Sequence, residues 1–399
     1  MARSPVRSDG RETLKRIMDS AKTLFSEKGF RGVSIPMVAK QSGIRTPSFY
    51  HYFTDKRELY NGVVAESLTI CRQSVLNASV SFPGNPLKSF YDNYLRFVIE
   101  RPQDFRIIKE ASYFDEIVLS RHKKIIHEVI RNLQLRPLDK AAESILGLFI
   151  VAPVTWVGNH RSLSPECELN REKLLEDLVE FVLKGLDPGS HRTLNDAFEV
   201  TFQPLIVERK STRSSLIEAA EELFGSQGFH DTYVSDITRR AGVASGTFYV
   251  HFKNKLAILE ELIESTLRGL KRTVAAVISN YKDRRDAEIA GFKANLEYFR
   301  LHYNMCNIVM ETEFTYPEVW KGYYRRIQEP WVRALSIAME AGQIRRTDPS
   351  YLSLYLMGIG HYLTEELVIR RRGDSEDFSH ALRTLAPLLY RGIDSLLRS

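Results

Sequence analysis

One stretch of 22 residues occurs twice in this chain, and the repetition limits the fold more than any other feature. Residues 35–56 (IPMVAKQSGIRTPSFYHYFTDK) and 234–255 (VSDITRRAGVASGTFYVHFKNK) align without a gap at a distance of 199 residues. Gly43 matches Gly242, and the aromatic residues that follow match as well. A period this long is not that of a solenoid. The sequence therefore predicts two copies of one domain type.

Each copy has the pattern of short helices separated by a glycine turn. In the first copy, Ile17, Ala21 and Leu24 recur at helical spacing, which predicts a helix that ends at Gly29. A second short helix follows, and Gly43 then allows the tight turn into a third. This is the layout of a helix-turn-helix, whose second helix enters the major groove of DNA.

The rest of each half is predicted to be helical as well. Apolar residues recur at helical spacing, and no strand-like alternation or hairpin signal competes with them. The fold class is therefore all-α, with two tandem units. The predicted domains are a helix-turn-helix domain at 1–56, a helical ligand-binding and dimerisation domain at 57–187, a linker at 188–204, a second helix-turn-helix domain at 205–255 and a second helical domain at 256–399.

Composition and spacing exclude several other classes. The three Cys are far apart and odd in number, which argues against a disulfide framework and a zinc site. The apolar run 144–158 contains no charged residue but is too short to cross a membrane. His361 and Glu365 share a helix face, but two ligands do not make a metal site. We therefore expect a cytoplasmic protein that is not an enzyme and has no cofactor, metal or membrane partner.

The candidate DNA contacts lie on the reading helix of each copy and just after it. Arg45 suits a bidentate contact to guanine, and the tyrosines can give a hydroxyl to a phosphate. Lys56 and Lys255 each open a helix whose positive end also favours a phosphate. The candidates are Arg45, Thr46, Ser48, Tyr50, His51 and Lys56 in the first copy, and Ser245, Thr247, Tyr249, His251, Lys253 and Lys255 in the second.

The two copies differ in charge. Residues 1–60 contain 12 Lys or Arg and 6 Asp or Glu, whereas residues 205–255 contain 7 and 6. Because neutralisation of phosphates supplies much of the affinity for DNA, the first copy is expected to bind more strongly. The operator is then expected to be asymmetric.

Both copies resemble the N-terminal DNA-binding domain of TetR-type bacterial transcriptional regulators. The matching segments are AKTLFSEKGF with SGIRTPSFYHYFTDK, and AEELFGSQGF with AGVASGTFYVHFKNK. The resemblance covers about 50 residues in each half and implies a nine-helix fold whose C-terminal region binds a ligand and dimerises. Typical members have one unit and act as homodimers, whereas this chain has two.

The resemblance also implies a double-stranded DNA operator and an unknown small-molecule effector, which apolar aromatic residues would bind. A ligand-responsive regulator, acting as a repressor, is the leading interpretation. The candidate ligand-binding residues are Tyr94, Phe97, Phe105, Phe114, Trp156, Phe299, Phe314, Trp331 and Tyr355.

Two questions of arrangement stay open at this stage. One chain can fold as a monomeric pseudo-dimer, in which the last two helices of each half form a four-helix seam and the two reading heads lie about one DNA turn apart. Alternatively, tandem chains form a homodimer. A different function, a helical interaction or scaffold protein with one degenerate head, is favoured by the poor charge balance of the second copy.

Overall fold

The computed structural model describes residues 8–76, 82–133, 135, 139–163, 170–189, 211–371 and 378–396. Every regular element in these ranges is helical, which confirms the all-α fold class. The predicted N-terminal domain begins before this part of the chain. Most of the predicted linker, 190–204, also lies outside the described residues.

Each half contributes nine α-helices in the described ranges. Those of the first half are α1 (Ser8–Lys28), α2 (Ile35–Gln41), α3 (Thr46–Phe49), α4 (Lys56–Leu76), α5 (Pro86–Glu100), α6 (Pro102–Phe114), α7 (Glu116–Asn132), α8 (Lys140–Leu163) and α9 (Arg171–Lys184).

The second half repeats this order with small differences in length. Its helices are α10 (Thr212–Gln227), α11 (Val234–Arg240), α12 (Ser245–His251), α13 (Lys255–Ile278), α14 (Arg284–Leu301), α15 (Tyr303–Thr315), α16 (Pro317–Glu340), α17 (Pro349–Thr364) and α18 (Ser379–Arg391). A π-helical turn, Glu365–Ile369, continues α17, and a 3-10 turn, Asp394–Leu396, follows α18.

The chain divides into two compact units, and the boundary runs through two helices. The first unit contains the residues up to Leu135 and Val157–Val179. The second contains Arg136–Trp156 and Glu180–Leu397. The start of α8 and the end of α9 therefore belong to the second unit, although they are encoded in the first half.

The first three helices of each half form a small head with its own core. In the first head, α1 buries Ile17 and Phe25, and the reading helix buries Phe49, with Phe53 buried just after it. The rings of Phe49 and Phe53 lie 5.7 Å apart. Phe248 and Phe252 repeat this pair at the same centroid distance. The matched aromatic residues of the repeat are thus core residues of the heads.

Long helices support each head. In the first unit, α4 packs on α5, α6 and α7, and α1 rests on α4 and α6. In the second unit, α13 packs on α14 and α16, α17 lies between α14 and α16, and α10 rests on α15. Each head therefore rests on two helices of its body, α4 and α6 in the first half and α13 and α15 in the second.

Inside the second unit, the end of α9 and the end of α18 exchange backbone hydrogen bonds. The N–H of Leu186 donates to the carbonyl of Leu389 at 2.8 Å, and the N–H of Ile393 donates to the carbonyl of Val182 at 2.9 Å. Leu186 and Ile393 each directly follow a glycine that ends the helix, so the two contacts are equivalent. Such a reciprocal pair is the pattern of a two-fold related interface.

Glycines let these segments approach closely. Gly185 and Gly392 have φ of 62° and 68°, a region that favours glycine. A Cβ at Gly185 would lie 2.5 Å from the carbonyl oxygen of Leu389, and one at Gly392 would lie 2.1 Å from that of Leu183. In α17, a Cβ at Gly358 would lie 2.6 Å from the carbonyl oxygen of Ala152. Any side chain at these positions would push the paired helices apart.

Candidate nucleic-acid interface

The same turn joins the two short helices in both heads. Gly43 has φ of 70° and Gly242 has φ of 69°. The next N–H, of Ile44 or Val243, donates to a carbonyl five residues back at 3.0 Å in each case. This left-handed ending of a helix satisfies its last carbonyl groups, and glycine adopts it without strain. The turn sets the direction of the reading helix that follows.

In the first head, the predicted contacts surround a reading helix of one turn. Arg45 stands exposed at the residue before α3, and His51 is exposed after it. Tyr50 is 51% exposed, although its ring also contacts Phe49 edge to face. Thr46 and Ser48 are half-buried. The structure therefore leaves all five side chains on or near the surface, with one cation at the start of the helix.

In the second head, the reading helix is longer and less polar. Ser245 is exposed and Thr247 is half-buried. Tyr249 is 62% exposed and Val250, at the position of His51, is 78% exposed. Lys253 is exposed and His251 half-buried. Ala244 stands where the first head has Arg45, so the start of this helix presents no cation.

Lys56 and Lys255 have the same local role, which sequence reasoning missed. The Nζ of Lys56 donates to the carbonyls of Phe30 and Val33, both at 2.9 Å, and lies 4.3 Å from the centre of the Phe30 ring. The Nζ of Lys255 donates to the carbonyls of Phe229 and Thr232, both at 2.6 Å. Burial lowers the pKa of both lysines. Each ammonium holds the start of α4 or α13 against the turn that follows the first helix of its head. The phosphate contacts of these two lysines stay predictions.

Acidic residues accompany the exposed cations of the second head. Arg240 pairs with Glu222 at 2.6 Å, and Arg239 pairs with Asp236. Arg213 pairs with Glu261 at 3.3 Å. These pairs reduce the positive field that the small charge surplus of this head already limits.

A buried charged cluster attaches the first head to its body. The Nζ of Lys22 on α1 lies 2.9 Å from Oδ1 of Asp104 on α6. The same carboxylate accepts from the hydroxyl of Ser67 at 2.7 Å and from Nε of Arg101 at 2.9 Å. Burial alone would raise the pKa of Asp104, but the hydrogen bonds from Lys22 and Ser67 outweigh it and hold that pKa below its usual value. The carboxylate is therefore held ionised between head and body.

A second carboxyl of α6 reaches the turn after α1. Oε1 of Glu110 accepts from the N–H of Phe30 at 2.8 Å, and Oε2 lies 3.4 Å from the hydroxyl of Tyr60. Burial raises the pKa of Glu110 to about 7, against the lowering effect of the Phe30 hydrogen bond. This group can therefore change its charge near neutral pH.

The second head is attached by close packing instead. The positions of Lys22 and Asp104 are occupied by Glu221 and Met305. In α10, a Cβ at Gly225 would lie 2.6 Å from Cβ of Asn304 on α15. The rings of Phe229 and Tyr316 meet edge to face with centroids 5.0 Å apart. Backbone proximity and ring contacts thus replace the buried ion pair.

A cavity of about 260 Å³ lies inside the helical body of the second unit. Helices α13, α14, α15, α16 and α17 surround it, and its lining is mainly aromatic and aliphatic. The aromatic lining residues are Phe292, Phe299, Tyr323, Tyr324 and Trp331, and the polar ones include Arg284, Glu288, Asn295, His361 and Thr364. Exposed Lys271 lies at its edge.

Two of the nine predicted ligand-binding residues, Phe299 and Trp331, line this cavity. The other seven lie elsewhere. Five of them are buried core residues: Tyr94, Phe97, Phe105, Trp156 and Tyr355. Phe114 is 50% exposed and Phe314 is half-buried. Aromatic density alone did not distinguish rings beside a void from rings in the core.

Two further expectations concern metals and membranes. Within the described ranges, no group of three or more His, Cys, Asp or Glu side chains is placed to hold a metal ion. One described helical segment, Lys140–His160, is long and apolar enough to span a membrane, but 72% of its apolar window is buried inside the protein. That burial is usual for a core helix of a helical domain.

In a comparison with known proteins, one family model matches both heads. The family model described as bacterial regulatory proteins of the tetR family matches residues 17–63 and again residues 216–262.

Among curated relatives, the chain is 26% identical to the HTH-type transcriptional regulator AcrR of Shigella flexneri over 147 residues, which are 36% of this chain and 67% of that protein. It is 43% identical to the uncharacterized HTH-type transcriptional regulator TtgW of Pseudomonas putida over 64 residues, 16% of this chain and 48% of that protein. A solved structure, FadR from Bacillus subtilis in complex with stearoyl-CoA, is 21% identical and covers 44% of this chain and 97% of its own, with a TM-score of 0.40.

Proposed function

Since this chain is a tandem member of the TetR family, with one family DNA-binding domain in each half, we propose that it is a ligand-responsive transcriptional repressor whose two heads bind one operator. The observation that carries the proposal is the duplicated reading unit. In both copies the glycine turn has the same left-handed geometry, and the residues around the reading helix reach the surface. A helix presented in this way can enter a major groove.

The two halves act as a pseudo-dimer within one chain. The reciprocal hydrogen bonds between the ends of α9 and α18 support this arrangement, because a two-fold interface between identical subunits repeats each contact in the same way. The chain then provides internally the contact that other family members form between two subunits. Light scattering tests the arrangement: particles of 45.9 kDa support it, and particles of twice that mass support a homodimer of tandem chains.

The operator is asymmetric because the heads read different chemistry. In the first head, Arg45 suits the O6 and N7 acceptors of guanine. In the second, Ala244 and the exposed Val250 suit the methyl group of thymine. Phosphate contacts, which depend on positive charge, favour the first head. One half-site is therefore guanine-containing and bound tightly, and the other is thymine-rich and bound more weakly.

An effector in the cavity of the second unit regulates binding. Met310 on α15 lines the cavity, and Asn304 on the same helix packs against Gly225 of the second head. A ligand that displaces α15 therefore acts on α10 directly. Such a ligand can release DNA only if it binds the DNA-free arrangement more tightly.

Gel-shift and footprinting experiments on the DNA next to the gene test the proposal. We expect a specific complex that resists competitor DNA, loses affinity steeply with salt and protects two adjacent, unequal segments. Protection of one segment only, with no loss on mutation of Val250, would instead favour the scaffold interpretation for the second head. Failure to bind any genomic fragment specifically would contradict the proposal.

A further inference from the structure

We propose that the cavity of the second unit binds a small neutral aromatic molecule that carries one hydrogen-bond donor, as a phenol does. The inference rests on the proposed function in treating this cavity as the effector site. It adds the chemical class of the effector, which follows from the size, the walls and the polar groups of the cavity.

Size limits the ligand first. The cavity measures about 260 Å³. An apolar cavity of about 150 Å³ holds one benzene, so this one holds roughly two fused rings or one substituted ring. A long acyl chain with a large polar headgroup does not fit in that volume.

The walls favour flat rings. Phe292 and Trp331 meet in a T-shaped arrangement with centroids 6.5 Å apart, and Phe299 and Tyr323 complete an aromatic surface around the cavity. Gly291 and Gly360 line it without side chains, which leaves flat space next to the rings. Aromatic pairs at such distances stabilise a bound ring beyond the area that it buries.

The polar requirement comes from Glu288. Its side chain is 3% exposed, and Oε1 accepts from Nε of Arg284 at 2.7 Å and from Nε1 of Trp331 at 2.9 Å. Both donors bond to the same oxygen, so the carboxylate has further lone pairs, on Oε2, with which to accept from a ligand. A ligand donor placed there makes a charge-assisted hydrogen bond, which is stronger than one between neutral groups. The hydroxyl of Tyr323, on the same wall, lacks a partner among the described residues.

The remaining polar groups of the wall need no ligand. Nδ1 of His361 and the hydroxyl of Tyr324 lie 2.8 Å apart, and Nδ2 of Asn295 donates to the hydroxyl of Thr364 at 2.7 Å. These side chains satisfy each other. The carboxylate of Glu288 is therefore the wall group best placed to accept from a donor on the ligand.

Charge excludes ionic ligands. Arg284 already pairs with Glu288, with Nη2 and Oε1 2.5 Å apart, so the cluster is neutral in sum. An anionic ligand would bring a second negative charge next to the carboxylate, and a cationic one would compete with Arg284. Both would also be desolvated inside the cavity at a cost in free energy. Lys271 at the edge is exposed, so its solvent-screened charge offsets little of that cost for an anion. A neutral donor keeps the ion pair intact.

Isothermal titration calorimetry on the full chain without DNA tests the class. The probes are 2-naphthol, 2-methoxynaphthalene, which is similar in size but lacks the donor, 2-naphthoate, which is anionic, and dodecanoate. We expect 2-naphthol to bind at least ten-fold more tightly than each of the others. Equal affinity of 2-naphthol and 2-methoxynaphthalene, tighter binding of dodecanoate, or no binding of 2-naphthol would overturn the proposal.

Two variants locate the binding. Glu288→Gln should lower the affinity for 2-naphthol at least ten-fold and leave 2-methoxynaphthalene unchanged. Gly291→Leu should abolish binding of both, since a Cβ there meets only ordinary contacts and the longer side chain fills the cavity. Gly322→Leu, on α16 with no atom within 4 Å of its Cβ, is the matched control and should bind normally.

The outcomes separate the ligand class from the regulatory role. Circular dichroism first checks that each variant is folded; if Glu288→Gln is not, Gly291→Leu, which replaces a helical glycine, still decides the site. Unchanged binding in Gly291→Leu would overturn the proposal. If 2-naphthol binds but does not alter the gel shift, the ligand class stands and the proposed effector role fails.

Discussion

The two halves differ in the contact between head and body, although the heads themselves are copies. This contact, between α1 and α6 or between α10 and α15, is called the joint below. In the first half, a buried ion pair and two hydrogen-bonded carboxyl groups hold α1 on α6. In the second, Gly225 lets α10 approach α15 and the rings of Phe229 and Tyr316 meet, while buried Glu311 keeps the position of Glu110. A joint of buried charges depends on protonation and geometry, whereas a joint of packed surfaces depends on the position of one helix. The cavity lies beside that helix, so the proposed effector would act on the head of the second half through it.

The largest expected effect comes from breaking the charged joint. Asp104→Met, which places there the residue type of Met305, removes the closer carboxylate partner of the buried Lys22 and leaves it only the half-exposed Glu66 at 3.5 Å. Loss of one member of a buried pair costs about 3 to 5 kcal/mol. Urea unfolding followed by circular dichroism measures the loss.

The control for this prediction is the double variant Lys22→Leu with Asp104→Met, which should recover most of the stability because no buried charge remains unpaired; Arg101 and Glu66, which lose a partner, are exposed. In the second half, Gly225→Val should cost about 1 to 3 kcal/mol by overpacking. If Asp104→Met costs no more than Gly225→Val, the two joints do not differ as described.

Glu110→Gln should remove a pH dependence that only a buried carboxyl creates. The ordinary pKa of Glu is near 4.5 and that of Glu110 is about 7. Between these values the folded protein keeps a proton that the unfolded chain releases, so stability falls as pH rises through this window. The free energy of unfolding of the variant should therefore rise relative to that of the parent as pH rises. The difference should change by up to about 3 kcal/mol at pH 8.

Thermal unfolding from pH 4.5 to 8 measures this difference, with the charges of Lys56 and Arg106 near Glu110 unchanged in both proteins. The sign is opposite for Asp104, whose lowered pKa contributes stability that is lost as pH falls. If the stability of the variant and that of the parent change with pH in the same way, the pKa of Glu110 is not raised and the prediction is wrong.

Lys56→Met and Lys255→Met test the feature that the two halves share. Each removes an ammonium from two backbone carbonyls and should cost about 1 to 3 kcal/mol. The costs should be similar because the contacts are the same in both heads. Unfolding gives the cost, and the salt dependence of the gel shift reveals any lost phosphate contact, which would lower the slope by about one.

The smallest expected effects concern base recognition. Arg45→Ala should cost about 1 to 3 kcal/mol on the specific operator and little on random DNA. Val250→Ala should cost less, about 0.5 to 1 kcal/mol, since it removes only apolar contact with a methyl group. Competition gel shifts with substituted half-sites compare the two heads. Equal losses on specific and random DNA would show that neither residue reads bases.

The heads could be predicted because their information is local and repeated. The glycine turn, the buried aromatic pair and the exposed reading positions all lie within about 20 residues, and a second copy confirms each of them. The all-α class followed from periodicity in the same way.

The joints could not be predicted, because their partners are far apart in the sequence. Phe30 and Glu110 are separated by 80 residues, and no pattern in the chain pairs them. Lys56 illustrates a related difficulty. Its position at a helix start suggests a phosphate contact, whereas the carbonyls that hold it become visible only when the turn after α1 is folded. The cavity could not be predicted for a similar reason. A void depends on how five helices meet and not on the aromatic content of any one of them.

The hydrogen-bonded ends of α9 and α18 have an evolutionary consequence. In a repressor built from two identical polypeptides, every mutation appears twice, so neither half can change alone. Here both partners of the contact come from a single reading frame, and a point mutation alters one of them only. If the chain acts as the proposed pseudo-dimer, one head can drift toward a new target sequence, and one body toward a new chemical signal, while the other copy keeps its original contacts.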